Sequence, residues 1–390
     1  MTDFLSPAVS ICRDLIKCPS VTPLEAGALA TLEKILVDAG FSVERPVFTQ
    51  EGTPDVENLF ATIGSGKPHF VFAGHTDVVP VGDEAAWVHD PFGGEIENGF
   101  IYGRGTADMK GGVASFAAAA LAYLKENEGK VPGTISFLIT GDEEGPAING
   151  TKKLLEWADE RGIKFDACIV GEPTNPDYLG EAIKVGRRGS LSGTIVVNGV
   201  QGHVAYQHLA ENPVPGMLKL LGALEAMELD KGNNRFQPSN YECTTVDVGN
   251  AANNIIPASV KARFNIRFND MWSVATLQAH LTEVLNEAAP EGLEWSIEFA
   301  PDHSDSFLTH DEALINTLSA SIEAVTGHKP SLSTGGGTSD ARFIKNYCAV
   351  VEFGLVGQTM HKVNECVAVD DLDKLAEIYL KFLQDYFKSA

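Results

Sequence analysis

Short runs of uninterrupted apolar residues alternate along the chain with stretches whose apolar positions recur every three to four residues. The runs "ENLFATIG", "HFVFAGHTD", "TISFLITGDEE" and "FDACIVGEPT" have the length of strands and lead into polar loops. That is the pattern of strands buried on both faces of a parallel sheet. Among them, "LEAGALATLEKILVDAGF" has helical spacing and a glycine stop, and "MKGGVASFAAAALAYLKENEG" sets Val113, Phe116, Ala117, Ala120, Leu121 and Leu124 on one helical face. Up to about residue 180, this alternation predicts an α/β sheet with helices on both faces.

Around Lys184 the pattern changes. "KVGRRGSLSGTIVVNG" reads as a strand, "PVPGMLKLLGALEAMEL" as a helix, "CTTVDVGN" and "SVKARFNIRF" as two strands, "SVATLQAHLTEVLNEAA" as a helix and "EWSIEFA" as a strand. The order βαββαβ is the ferredoxin-like α+β motif. From about Pro301, helix and buried strand alternate again. The expected architecture is one α/β domain, residues 1–180 and 301–390, interrupted by an inserted ferredoxin-like domain, residues 181–300.

Composition narrows the partners. A formal charge of −24 argues against nucleic acid and anionic membrane surfaces, both of which attract basic patches. An anionic small-molecule substrate must then be met by locally placed Arg or Asn groups. The N-terminal "MTDFLSPAVSICRDLIK" lacks the basic leader and apolar core of a signal peptide, and "SFAAAALAYL" is too short to span a bilayer. Six cysteines without a C-x-x-C pair read as reduced thiols of a cytoplasmic protein rather than as a disulfide framework or a Cys-rich zinc site.

The candidate chemistry sits where the apolar runs end. His75 and Asp77 close one run, and residues at i and i+2 of a strand share a side. Asp108 precedes the Ala-rich helix, where it could also serve as a cap. Asp142, Glu143 and Glu144 follow a second run, Glu172 a third, and His361 a fourth. The carboxyl ends of the strands are where open α/β sheets bind ligands. Carboxylates gathered at one edge repel each other unless a cation neutralises them. Two histidines and several carboxylates, without Cys, suit an open catalytic site for Zn²⁺ or a similar first-row metal. Five ligands exceed one tetrahedral ion, so two cations sharing a bridging carboxylate fit better. Asp77 is suited to accept the other imidazole N–H of His75. One of Glu143 and Glu144 can bind metal while the other acts as general base, which points to hydrolysis. A phosphate loop is excluded because Pro68 replaces the Ser/Thr of "GSGKP", and neither H-E-x-x-H nor G-x-S-x-G occurs. "STGGGTSD" is either an anion cradle or a flexible turn. A metal-stabilised binding protein is the rival from another class, and it would have no use for a base.

Taken together, "GHTDVVP", "GRGTADMKGG", "GDEEGPAINGTKKL", "GEPT" and "MHKVNE" resemble the di-zinc aminoacylase/carboxypeptidase family of metallohydrolases. The resemblance implies that His75 and Glu172 hold one zinc, Glu144 and His361 the other, with Asp108 bridging. Cobalt could substitute. It also assigns Asp77 to orient His75 and Glu143 to act as general acid/base. The segments "GRRGSLSG", "QGHVAYQHLAENP", "NNIIPASVKARFNIRF" and "STGGGTSDARF" are similar to those of family members that cleave N-succinyl-diaminopimelate, with N-acetylornithine as the runner-up substrate. On that likeness Arg187, Tyr206, Asn253, Asn254, Arg267 and Thr338 receive substrate carboxylates. The resemblance also implies a homodimer through the inserted domain, in which His203 of one subunit would stabilise the oxyanion in the other.

Overall fold

The computed structural model describes residues 5–301 and 303–388, so the first four residues of the N-terminal stretch read above as leaderless lie outside them. The chain divides into two compact units. One comprises the residues up to Val185, Thr309–Ser333 and those from Ser339 onward; the other comprises Gly186–Leu308 and Thr334–Thr338. Thr309 N donates to the Val185 carbonyl at 2.7 Å, and Gly186 pairs with Leu308, so the chain leaves and re-enters the first unit side by side. These crossings fall later than 180 and 300 because Ala182–Lys184 still pairs with Ser331–Ser333 in the large sheet.

That sheet has eight strands in the order Ser42–Glu44, Leu59–Gly64, Thr134–Thr140, His69–His75, Ala167–Val170, Ala349–Glu352, Ala182–Lys184, Ser331–Ser333. It is parallel through its middle, where His69–His75 lies between Thr134–Thr140 and Ala167–Val170. Leu59–Gly64 runs antiparallel to both of its neighbours, Thr134–Thr140 and Ser42–Glu44, and Ala182–Lys184 runs antiparallel to Ala349–Glu352, so the sheet is mixed and not wholly parallel. A fully buried strand carries the same apolar run whichever way its neighbours run, which is why the sequence does not report direction.

Alternate side chains of His69–His75 meet helices on opposite faces. Phe70 and Phe72 pack on Phe116 of the helix Gly111–Glu126 and on Phe382 and Tyr379 of Val369–Lys388, with Phe72 and Phe116 stacked at 4.3 Å. On the other face His69 meets Phe165, and Phe60 meets Phe165 and Trp157 of Thr151–Glu160. Each fully buried Phe contributes roughly 1.5–3 kcal/mol. In register, His75 lies opposite Thr140 and Ala73 opposite Val170, so the loops carrying Asp77, Glu143, Glu144 and Glu172 leave the same edge. Two glycines let that edge close up. A Cβ on Gly74 would stand 2.4 Å from Met109 Cε, and one on Gly171 would stand 2.8 Å from the same atom, so both make room for the residue after Asp108.

The second unit is a four-stranded antiparallel sheet in the order Asn240–Asp247, Ser259–Phe268, Gly189–Asn198, Trp295–Phe299. With the helices Val214–Glu225 and Val274–Ala288 it has the expected βαββαβ order. Leu191, Ile195, Val260, Phe264 and Ile266 point to one face and pack on Leu220, Leu224, Leu277 and Leu281 of the two helices. On the opposite face Asn265 donates to Ser190 and Ser192.

Candidate metal centre

At the carboxyl edge of the large sheet the structure brings together all five proposed ligands and Glu143, every one of them in the first unit. His75 is fully buried at the end of its strand. Its Nδ1 lies 2.8 Å from the backbone carbonyl of Asp77. A carbonyl only accepts, so Nδ1 carries a proton, and Nε2 is the atom left to ligate a cation once it gives up its own. That Nε2 lies 3.2 Å from Asp108 Oδ1 and 3.7 Å from Glu172 Oε1. His361 Nε2 lies 3.2 Å from the other Asp108 oxygen, Oδ2, and 2.8 Å from Glu144 Oε1. Asp108 therefore turns one oxygen toward each histidine and does not cap the following helix, which has no side-chain cap. The ligand atoms of His75, Asp108 and Glu144 lie within 4.8 Å of one another, as do those of His75, Glu143 and Glu172. The side chain of His361 is 48% exposed and that of His75 is 0%, so the centre opens on the His361 side.

The Asp77 carboxylate does something the sequence does not suggest. It stands 3.6 Å from His75 Nδ1 and instead accepts the backbone N–H of Glu143 at 3.3 Å and of Glu144 at 3.0 Å. It holds the loop bearing the two glutamates, while its own carbonyl holds the imidazole.

The electrostatics are those of crowded carboxylates. Burial and then repulsion from Asp108 and Glu143 push Glu172 well above the usual carboxylate range. Burial, against the pull of His75, does the same to Glu143. Burial pushes Asp77 up to about 6. Burial works to lower His75, but its hydrogen bond to Asp108 and the charges of Glu172, Asp77 and Glu143 raise it well above its ordinary value. Hydrogen bonds to Asp108 and Glu144 raise His361 to about 10. Asp108 is held low by His361 and His75 despite its burial. Two imidazoles forced toward protonation by surrounding carboxylates mark a place built for positive charge. The donor set fits divalent cations of the first row.

The remaining sequence candidates lie in the second unit. His203 is exposed, its Nδ1 accepts from Ala205 N at 3.1 Å, and its ring lies 5.6 Å from that of Tyr206. Val204 N donates to the Asn254 carbonyl at 3.1 Å, which brings the His203 turn and the exposed Asn253–Asn254 turn together. Arg187 is buried, and its Nη1 donates to the carbonyls of Gly337 at 3.1 Å and Gly335 at 3.4 Å. It thus engages the glycine-rich loop that carries Thr338. Arg267 lies on Ser259–Phe268, opposite Ser190 and Asn240. All six cysteines are free.

Two buried residues, Glu365 and Arg104, escaped the sequence reading, and Asp142 was placed there without its role. Glu365 and Arg104 form an ion pair at 2.7 Å, and Glu365 Oε1 accepts from the amides of Ala107 and Asp108. Asp142 accepts from the amides of Ile148 and Asn149 and shapes the loop beyond Glu144. Glu365 and Arg104 lie within the quoted "MHKVNE" and "GRG", where charged loop residues look solvated. Their proximity to His361 and Asp108 was the available signal.

Comparison with known proteins identifies the family. The model of Peptidase family M20/M25/M40 matches residues 71–385. A succinyl-diaminopimelate desuccinylase of Methylorubrum populi is 58% identical over 381 residues, covering 98% of each chain. In solved structures, an M20 family metallo-carboxypeptidase from Sulfolobus solfataricus superimposes with a TM-score of 0.78 at 19% identity, over 98% of this chain and 100% of that one. A Bacillus subtilis protein described as a dinuclear metal-binding peptidase of the M20 family gives 0.72 at 16% identity, over 98% of both. At such identities the two structures speak for the fold alone.

Proposed function

Because the chain belongs to peptidase family M20/M25/M40, we propose that it hydrolyses the amide bond of N-succinyl-L,L-diaminopimelate, releasing succinate and L,L-diaminopimelate with the help of two zinc ions. The observation that carries the reaction class is Asp108, with one carboxylate oxygen toward each histidine. The choice of substrate over N-acetylornithine rests on 58% identity across 98% of the chain to a desuccinylase.

His75 and Glu172 would hold one zinc, and Glu144 and His361 the other, with Asp108 shared and cobalt able to substitute. When bound, the ions supply Lewis-acid polarisation of the scissile carbonyl and a lowered pKa for water. Glu143 takes the proton of the attacking water and delivers it to the departing amine nitrogen. Burial pushes its pKa upward in the metal-free centre. Glu144 is engaged with His361 at 2.8 Å, which supports giving the base role to its neighbour. Arg187, Arg267, Tyr206, Asn253, Asn254 and Thr338 would receive the carboxylates of the substrate, since guanidinium groups match carboxylates bidentately.

The working form is a homodimer through the second unit, in which His203 of one subunit donates to the developing oxyanion in the other. Supporting this, Asn240–Asp247 is an edge strand, and an edge strand presents unpaired backbone groups to another chain. Val204, Tyr206, Leu209, Val246 and Ile255 are all exposed in the same unit. Free cysteines support a reducing, cytoplasmic setting.

The test is a deacylation assay on chelator-treated and zinc-reconstituted protein with both substrates. Zinc-dependent turnover that favours N-succinyl-diaminopimelate is expected. Better turnover of N-acetylornithine would overturn the substrate, and full activity in metal-free protein would overturn the mechanism.

A further inference from the structure

The ion pair Arg104–Glu365 lies behind the centre at the junction of three loops, with the two residues 2% and 0% exposed. Arg104 Nη1 donates to Glu365 Oε2 at 2.7 Å and to the Lys362 carbonyl at 3.1 Å. Its Nη2 reaches the carbonyls of Pro80 and Val81, both at 3.4 Å, and its guanidinium stands 5.3 Å from the Trp87 ring centroid. The other Glu365 oxygen accepts from Ala107 N at 2.9 Å and from Asp108 N at 3.2 Å. The pair thus joins the loop after His75, the segment that ends in Asp108 and the turn that carries His361. In that turn His361 and Asn364 have φ of 61° and 58°, left-handed values for non-glycine residues. Such conformations persist only where the surroundings over-determine them.

A buried ion pair is weak evidence of stabilisation, because apolar packing of equal volume often serves as well or better. Neither residue is a proposed ligand. What the pair holds in common is the backbone of Asp108 and the turn of His361, which meet at Asp108 Oδ2.

We infer that Arg104 and Glu365 are positioning residues, a clasp that sets Asp108 and His361 so that the shared carboxylate can serve two cations at once. This rests on the two-cation reading given above. Glu365 fixes the Asp108 amide and hence the backbone from which its carboxylate projects, while Arg104 fixes the His361 turn through Lys362. The cation on the Glu144–His361 side depends on both anchors.

The test reads metal uptake. Metal-free protein is titrated with Co²⁺, following the equivalents bound and the visible absorption. Wild-type protein is expected to take up two equivalents. Glu365→Gln keeps an acceptor for the Ala107 and Asp108 amides but sets a donor against Arg104. It should bind the second equivalent about 10- to 100-fold more weakly, the usual scale for losing an outer partner of a metal ligand, with an altered spectrum. Arg104→Lys keeps the charge but loses the fork; it should weaken the same equivalent about tenfold, and it decides the matter if Glu365→Gln fails to fold. A folded variant that binds both equivalents with wild-type affinity and spectrum, losing only thermal stability, would overturn the clasp. Failure of wild-type protein to take up two equivalents would instead overturn the two-cation reading, and the clasp with it.

Discussion

Replacing Asp77 with Asn separates two ways in which this residue could serve the centre. The side chain is buried, and its oxygens accept the amides of Glu143 at 3.3 Å and Glu144 at 3.0 Å, while its backbone carbonyl takes the His75 ring N–H at 2.8 Å. Asn is nearly isosteric and leaves the carbonyl untouched. It has one side-chain acceptor, so one amide keeps a partner and the other faces an NH₂ group. Losing one hydrogen bond to a charged acceptor costs about 1.5–3 kcal/mol. At 1.36 kcal/mol per tenfold, that corresponds to a loss of roughly 10- to 150-fold. The loss should fall on the side of the centre served by Glu144, and on turnover through Glu143. The assay is calorimetric titration of metal-free protein with zinc in two backgrounds. Glu172→Ala leaves Asp108, Glu144 and His361; His361→Ala leaves His75, Asp108 and Glu172. Asp77→Asn should weaken zinc by the stated factor in the first background and change it little in the second. The reverse result would mean that the carboxylate acts through the imidazole of His75, 3.6 Å away, and would refute the reasoning.

Glu143→Gln should retain both metal equivalents and lower kcat by about 10²–10⁴-fold, while Glu144→Gln should lose one equivalent; the opposite pattern in a metal titration would exchange the two roles. Arg267→Ala should lower kcat/KM for N-succinyl-diaminopimelate by about ten- to a hundredfold, one charge-assisted contact, and leave a short acetylated amine nearly unaffected; equal losses on both would make Arg267 structural. In chelator, stability should fall as pH rises. His361, raised from 6.5 to about 10, contributes fully below 6.5 and loses that contribution on the way to 10, and Glu143 and Glu172, raised above 4.5, change in the same sense. Thermal melts in chelator that hold level or rise from pH 6.5 to 10 would contradict this.

Much of the site is legible because strand ends are legible. The apolar run Phe70–Ala73 fixes a strand, and its end fixes His75 at the ligand-binding edge. Glu143, Glu144, Glu172 and His361 can be placed there by the same reasoning, one segment at a time, and Asp108 from its position just before the Ala-rich helix. The βαββαβ unit is legible from alternating burial, as in Ser259–Phe268, where every second residue is inside. What stays hidden is pairing between distant groups. Arg104 and Glu365 are 261 residues apart, and a buried ion pair between loops leaves no period in the sequence. The Asp77 carboxylate is hidden for another reason: its partners are backbone amides, which every residue carries. The mixed direction of the sheet is lost because burial, which the sequence records, is indifferent to strand polarity.

The strand order has a consequence for synthesis. Ala349–Glu352 lies between Ala167–Val170 and Ala182–Lys184, so the large sheet has a gap in its middle until a strand made late is available. Four of the five proposed ligands, His75, Asp108, Glu144 and Glu172, precede the inserted unit; His361 follows it, nine residues after the end of that late strand. A growing chain therefore carries four of the five proposed ligands throughout the time the second unit is being made. His361 follows closely on the strand that closes the sheet, so the sheet and the proposed ligand set are completed at nearly the same point in synthesis. Until then the Glu144–His361 side of the pair lacks one of its own two ligands.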